Sequence, residues 1–343
     1  MDTLTSMCSD VYKLNPSLVL PVLMVLGTDV LRRAQAIPDI SPLTVGWPEF
    51  LLTLLARARP DLQVEPPCTV INAKSGYART NRSPVLEHLL RSHTDDSARS
   101  GLTVTFLTTS QRPGTISFDK VSYTASAATI GQLGLAAILP VLGKGSENVF
   151  KATLAGTLLS NAASYLLRHH QHNQIRSARE TPEKRRDITC VTSGNGSAAA
   201  VVIISEGGGV RIEDLAAGRT NGLGLGSTLA IVVLIALWAV LLLALTALDR
   251  VDAWWMLAQC GIGAAYTVFA ARQWRGGAAM GFKFSEEKKK VVRADKVMAA
   301  LMKAEEIEPG VGSTLLPIYF PGPLRPDEEL WWAERKQAPK AAL

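Results

Sequence analysis

The densest group of reactive side chains is Asn72, Lys74, Ser75 and Tyr77, in the run Val70-Ile71-Asn72-Ala73-Lys74-Ser75-Gly76-Tyr77. An amide, an ammonium and two hydroxyls after a short apolar strand have the chemistry to hold an anion or a nucleotide head group. A phosphate loop of the form GxxxxGK[ST] needs glycine amides ahead of its lysine, and no glycine precedes Lys74 at that spacing. Asn72 and Lys74 are therefore expected to shape a structured loop. His169, His170 and His172 have the ring nitrogens to bind a transition metal. Neighbouring histidines at a helix end do not face one way, and no carboxylate is near in sequence, so a basic cap at a membrane interface is the better reading.

Other catalytic patterns are weak. Ser, His and Asp occur often enough to form a triad by chance, but there is no GxSxG elbow. Asp95-Asp96 and Glu286-Glu287 lie in polar runs, where carboxylates are solvated. Cys8, Cys68, Cys190 and Cys260 are far apart, without the CxxC or Cys/His spacing of a zinc site. No catalytic residue, cofactor or metal is expected. Leu223-Gly224-Leu225-Gly226 is read as a flexible entry to an apolar helix, because a dinucleotide fingerprint needs a strand before it and an amphipathic helix after it.

The elements that would carry these groups are dominated by apolar runs. Leu229 to Leu248 is apolar except for Thr246 and spans roughly 30 Å as a helix, the thickness of a bilayer's hydrocarbon core. Ala253 to Ala271 follows after Asp249-Arg250-Val251-Asp252 and would complete a hairpin. Tyr123 to Leu142 and Val149 to Leu167 form a second pair. Leu14 to Leu31 is a further segment, interrupted by Pro16, Pro21 and Asp29. Leu43 to Ala56 is short and holds Glu49, which suits an interfacial helix. The apolar fraction is 47% and the net charge +6. Basic residues crowd the loop before Tyr123, the loop after Leu167 and the tail after Ala271, which the positive-inside bias places in the cytoplasm.

The fold expected from these segments is an α-helical polytopic membrane protein with about 4–5 transmembrane helices and a small cytoplasmic α/β module formed by loops and tail. Its divisions would be an N-terminal apolar region over 1–60 with a span at 14–31, a cytoplasmic loop over 61–121 and a helix pair over 122–167. A loop with a β-hairpin over 168–226, a transmembrane hairpin over 227–271 and a tail over 272–343 would follow. The hairpin would join Asp187–Val191 to Ala199–Ile204 through Ser193-Gly194-Asn195-Gly196-Ser197, with Asn195-Gly196 as its turn. Glu286 to Glu306 would be an amphipathic helix, and Leu315 to Gly322 an irregular apolar strap. Gln132 and Asn161 would be polar groups inside the second helix pair, each seeking the other or a nearby backbone group. Gly156 would lie in a small-residue stripe with Ala152, Ser160 and Ser164 that lets helices approach closely.

Several blocks resemble a family of uncharacterised multi-pass membrane proteins from filamentous fungi. They are Val70 to Tyr77 with Arg79 and Asn81; Ser193 to Gly196; Ile212-Glu213-Asp214-Leu215-Ala216; and Leu315 to Gly322 with Leu324-Arg325 and Trp331-Trp332. The chain departs from that pattern by a shorter apolar region near Pro42 to Asp61 and by Pro84 where the family has tryptophan. The resemblance implies a multi-pass membrane location but no activity. The function expected is that of a scaffold, adaptor or sensor in the plasma membrane or an endomembrane. The alternative is an accessory enzyme or carrier for a lipophilic substrate in a fungal specialised pathway. The expected partners are the lipid bilayer and other membrane or cytoplasmic proteins, not nucleic acid.

Overall fold

The computed structural model describes residues 16–37, 39–56, 68–81, 83–94, 101–109, 119–142, 147–177, 186–206, 210–217, 224–273, 275, 282 and 284–337. Asp95-Asp96, Leu223 and basic loop residues such as Arg57, Arg99 and Arg112 lie outside them. The chain forms two compact units, each assembled from three stretches of sequence. Unit 1 is Met1–Pro60, Phe118–Gln171 and Asn221–Trp274; unit 2 is Asp61–Ser117, His172–Thr220 and Arg275–Leu343.

Unit 1 is helical. It contains α1 (Leu20–Val25), α2 (Thr28–Ala34), α3 (Trp47–Ala56), α5 (Lys120–Val141), α8 (Leu225–Thr246), α9 (Arg250–Arg272) and most of α6 (Asn148–Ser177). Asp119 starts α5 with a capping box, accepting from Ser122 N at 3.0 Å while Ser122 Oγ accepts from Asp119 N. Ile231, Leu234, Trp238, Leu241 and Leu245 recur at three- and four-residue steps along α8 and form its buried stripe. They pack with Leu20, Met24, Leu43, Trp47, Phe50 and Met256.

Unit 2 is built on a six-stranded sheet of order β2-β1-β4-β5-β3-β6. Its strands are β1 (Thr69–Asn72), β2 (Ala78–Thr80), β3 (Leu102–Thr109), β4 (Asp187–Thr192), β5 (Ala199–Ser205) and β6 (Lys290–Ala294). The β3–β5 pair is parallel, with Val104 opposite Ala200 and Phe106 opposite Val202, and the other pairs are antiparallel. Every residue of β3, β4 and β5 is buried, so both faces of the central sheet are covered. On one face Val104, Phe106, Cys190, Val202 and Val292 meet α10 (Val297–Ile307), α11 (Val311–Tyr319) and α12 (Pro326–Gln337) through Met298, Leu301, Leu315, Tyr319 and Trp332. The helices α4 (Pro84–Thr94) and α7 (Ile212–Ala216) complete the unit.

This architecture overturns the expected fold class. Among the described residues one helix is long and apolar enough to cross a membrane, α8, with mean hydropathy 3.0, and a mixed sheet organises the other unit. The physical reason is dilution of apolar character. Helix α5 carries Thr124, Ser126, Thr129 and Gln132; α6 carries Lys151, Thr153, Thr157, Ser160, Asn161 and Arg168; α9 begins with Arg250 and Asp252. The multi-pass expectation falls with it.

Local expectations change too. Described residues of Leu14–Leu31 do not form one helix, because Gly27 adopts φ 97° between α1 and α2, a left-handed turn that a Cβ disfavours. Leu43–Ala56 is helical only from Trp47. Lys290–Ala294 is a strand, since pairing with β3 outweighs the helical pattern of its charges, and the helix starts at Val297. Leu315 and its neighbours lie in a true helix, α11, whose last turn accommodates Pro317.

Glu305 caps α11 from the preceding helix, its carboxylate accepting from Gly310 N at 2.8 Å and Ser313 N at 2.9 Å. Glu305→Ala should cost about 1–2 kcal/mol in denaturant unfolding, and Glu305→Gln less. Burial, helped by Arg275 and Arg91, pushes His88 down to about 4 from its ordinary 6.5. The unfolded chain then takes up a proton below pH 6.5 that folded His88 refuses until about pH 4. Stability should therefore fall as pH drops through that window, and a urea titration of His88→Gln should show a shallower fall.

Candidate functional site

The richest polar geometry in unit 1 surrounds a stretch that is not helical. Residues Asp39 to Gly46 have no regular structure, yet Asp39, Ser41, Pro42, Leu43, Thr44 and Gly46 are buried. Pro42 lacks an amide hydrogen, which suits this stretch to an extended path. A buried irregular backbone needs partners for its polar groups. Asn161 on α6 supplies both for Ser41: Oδ1 accepts from Ser41 N at 3.3 Å, and Nδ2 donates to Ser41 O at 3.1 Å. The same Nδ2 donates to Thr157 O at 2.9 Å. Gln132 on α5 donates from Nε2 to Leu43 O at 2.8 Å and to Gln259 O at 2.9 Å. Thr44 and Thr267 share a hydroxyl–hydroxyl bond of 2.7 Å. Arg168 pairs with Asp39 at 3.0 Å, and Ser122 donates to the same carboxylate.

Helix packing around the stretch depends on two glycines. A Cβ on Gly263 would stand 1.8 Å from Leu43 O, and one on Gly156 would stand 2.4 Å from Leu43 Cδ1. Leu43 is thus held by α5 and α9 through its carbonyl and by α6 through its side chain. Gly156 does allow close approach, but what approaches is this extended segment. Gln132 and Asn161 likewise bind backbone of the segment and are not bonded to each other. Asp39, Ser41, Leu43, Thr44, Gly263 and Thr267 were missed by sequence reasoning. The available signal was the Pro38, Pro42 and Gly46 punctuation, which breaks the apolar run between Ile37 and Trp47.

The remaining sequence candidates are in unit 2. Asn72 ends β1 and organises the turn to β2. Its Oδ1 accepts from Lys74 N at 2.8 Å and Ser75 N at 2.9 Å, and its Nδ2 donates to Glu213. These bonds consume the amide, while Lys74 points to solvent. Thr314 donates to Ala73 O at 3.3 Å, so the loop is tied to α11. Asn195 and Gly196 sit at the exposed turn between β4 and β5, closed by Ser197 N donating to Gly194 O at 3.1 Å. His169 stacks on Tyr165 with ring centroids 6.4 Å apart. Burial pushes the Cys68 thiol up to about 11 and the Cys190 thiol up to about 12, which disfavours thiolate chemistry at neutral pH.

No family model matches the chain, and no curated protein or solved structure is similar to it. Unit 1 assembles neutral amides, hydroxyls and backbone carbonyls around Leu43, a set suited to holding a segment or a small polar guest.

Gly263→Ala and Gly156→Ala separate the two kinds of close contact. The first drives a methyl into backbone that is fastened on both sides and should cost about 3 kcal/mol; the second meets the flexible end of Leu43 and should cost about 1 kcal/mol. Equal losses in thermal unfolding would contradict this description of the seam.

Proposed function

We propose that the chain is a membrane-anchored scaffold or adaptor, with unit 1 held in a bilayer through α8 and unit 2 exposed for protein contacts. The observation that carries this reading is the exterior of α8. Only 28% of its most apolar stretch is buried inside the protein. The outward residues are Leu229, Val232, Val233, Leu237, Val240 and Leu243, the last 71% exposed. A helix at a water-facing surface carries a polar outer face, and this one has none. A continuous exposed apolar surface of this kind marks an interaction with lipid or with another protein.

The rest of unit 1 supports lipid as that partner. Leu18, Val22, Leu26, Ile130, Val141, Leu158 and Val268 are also outward, while Gln132, Thr153, Ser160, Asp252 and Gln259 are buried. Unit 1 thus buries polar groups beside its apolar core while also turning large apolar groups outward. The scaffold part of the reading rests on chemistry: the Asn161 amide and the Gln132 nitrogen are engaged in holding backbone, and the Asn72 amide in shaping a loop.

Alkaline carbonate extraction of cells expressing the full chain provides the test. The protein should remain in the membrane pellet and enter solution only with detergent. Replacing Val233, Leu237 and Val240 together by lysine should move it to the soluble fraction or to aggregates. Release of the unaltered chain by carbonate alone would refute the anchor.

A further inference from the structure

Contacts around Leu43 set the helices of unit 1 level with one another. The Gln132 nitrogen reaches the carbonyls of Leu43 and Gln259, so α5, α9 and the extended stretch meet at that level. Gly156 of α6 faces the Leu43 side chain, and Leu241 of α8 lies against the same position. Trp255 donates from Nε1 to Leu135 O at 3.2 Å, so α9 runs antiparallel to α5. The end of α6 lies beside the start of α5, because Asp39 pairs with Arg168 and accepts from Ser122. From the helix rise, Lys120, Arg168 and Arg272 then stand roughly 18–20 Å from the Leu43 level, all on the same side. The end of α2 joins them, since Ser164 donates to Gln35 and Gln171 to Ala36 O. That brings Arg32 and Arg33 to this end of the unit.

The charges of these helices are confined to their ends. No charged residue occurs from Val121 to Val141 in α5, from Ala152 to Leu167 in α6 or from Ala253 to Ala271 in α9. At the far end acids match bases: Glu147 pairs with Lys151 at 2.7 Å, and Arg250 stands between Asp249 and Asp252. At the near end the acids are engaged. Asp29 is 3.8 Å from Arg32, Asp39 is buried against Arg168, and Asp119 caps α5. Arg33, Lys120 and Arg272 are exposed there. Helix α8 turns into α9 at the far end, so its apolar exterior runs from the basic end toward the balanced one.

We propose that the basic end of unit 1 binds the headgroups of anionic phospholipids, with Arg33, Lys120 and Arg272 at the membrane surface and the exterior of α8 in the hydrocarbon. Lys and Arg side chains close to an anionic leaflet are attracted to it, and the attraction fades within a Debye length. Such binding presupposes the membrane anchor proposed above and names the lipid that the anchored protein meets.

Electron spin resonance on the full chain in phosphatidylcholine vesicles, with traces of spin-labelled phosphatidylserine or phosphatidylcholine, provides the test. The protein should hold the labelled phosphatidylserine about threefold more strongly at low ionic strength, and concentrated sodium chloride should remove the preference. Arg33→Gln, Lys120→Gln and Arg272→Gln together should abolish it while labelled phosphatidylcholine stays motionally restricted, the mark of a chain still folded and inserted. Lys151→Gln at the far end should leave the preference unchanged. Equal restriction of both lipids by the unaltered chain would overturn the headgroup assignment and keep the anchor, leaving the basic end to a partner other than lipid. A preference that survives the triple substitution would also overturn it. Restriction of neither lipid would refute the anchor and the headgroup site with it.

Discussion

Unit 1 depends on hydrogen bonds to a backbone that has no secondary structure of its own. Asp39 to Gly46 runs buried among helices, where each unpaired peptide group would cost as much as a lost hydrogen bond. Helical neighbours have already spent their backbone groups internally. Side chains can supply partners instead: Asn161 bonds both Ser41 N and Ser41 O and Gln132 bonds Leu43 O, while Gly46 N is met by Met24 O at the end of α1. Their placement requires α5, α6 and α9 to close around one segment, which in turn requires glycine at 156 and 263. The polar interior and the tight packing are two aspects of the same constraint.

Unit 1 buries amides and hydroxyls beside its leucine-rich core and also turns leucine, valine and isoleucine outward, most completely on α8. Unit 2 is organised the opposite way. Its central strands bury β-branched residues on both faces, and Arg186 pairs at 2.7 Å with the buried carboxylate of Glu308.

The sequence carried part of this plainly. Leu229 to Leu248 announces α8 because an uninterrupted apolar run has few alternatives, and Asn195-Gly196 marks the turn between β4 and β5. The extended segment was harder to read. Pro42 disfavours a helix locally, but nothing in the spacing says that the stretch around it is buried. Gln132 and Asn161 were recognisable as interior polar groups needing partners. Their partner is distant in sequence, 120 positions from Asn161 to Ser41, and no local pattern encodes that pairing. β6 was misread because five residues of edge strand are specified by the neighbouring β3, not by their own composition. The small, hydroxyl-rich faces of α5 and α6 resemble close helix–helix seams, and here they grip a non-helical chain.

The most direct test of the central claim is collision accessibility of spin labels on the full chain in lipid vesicles. Labels at Val233, Leu237 and Val240 on α8 should collide readily with oxygen and poorly with a water-soluble nickel complex, while a label at Lys74 in unit 2 should show the reverse. Equal access of the nickel reagent to α8 and to Lys74 would contradict the account.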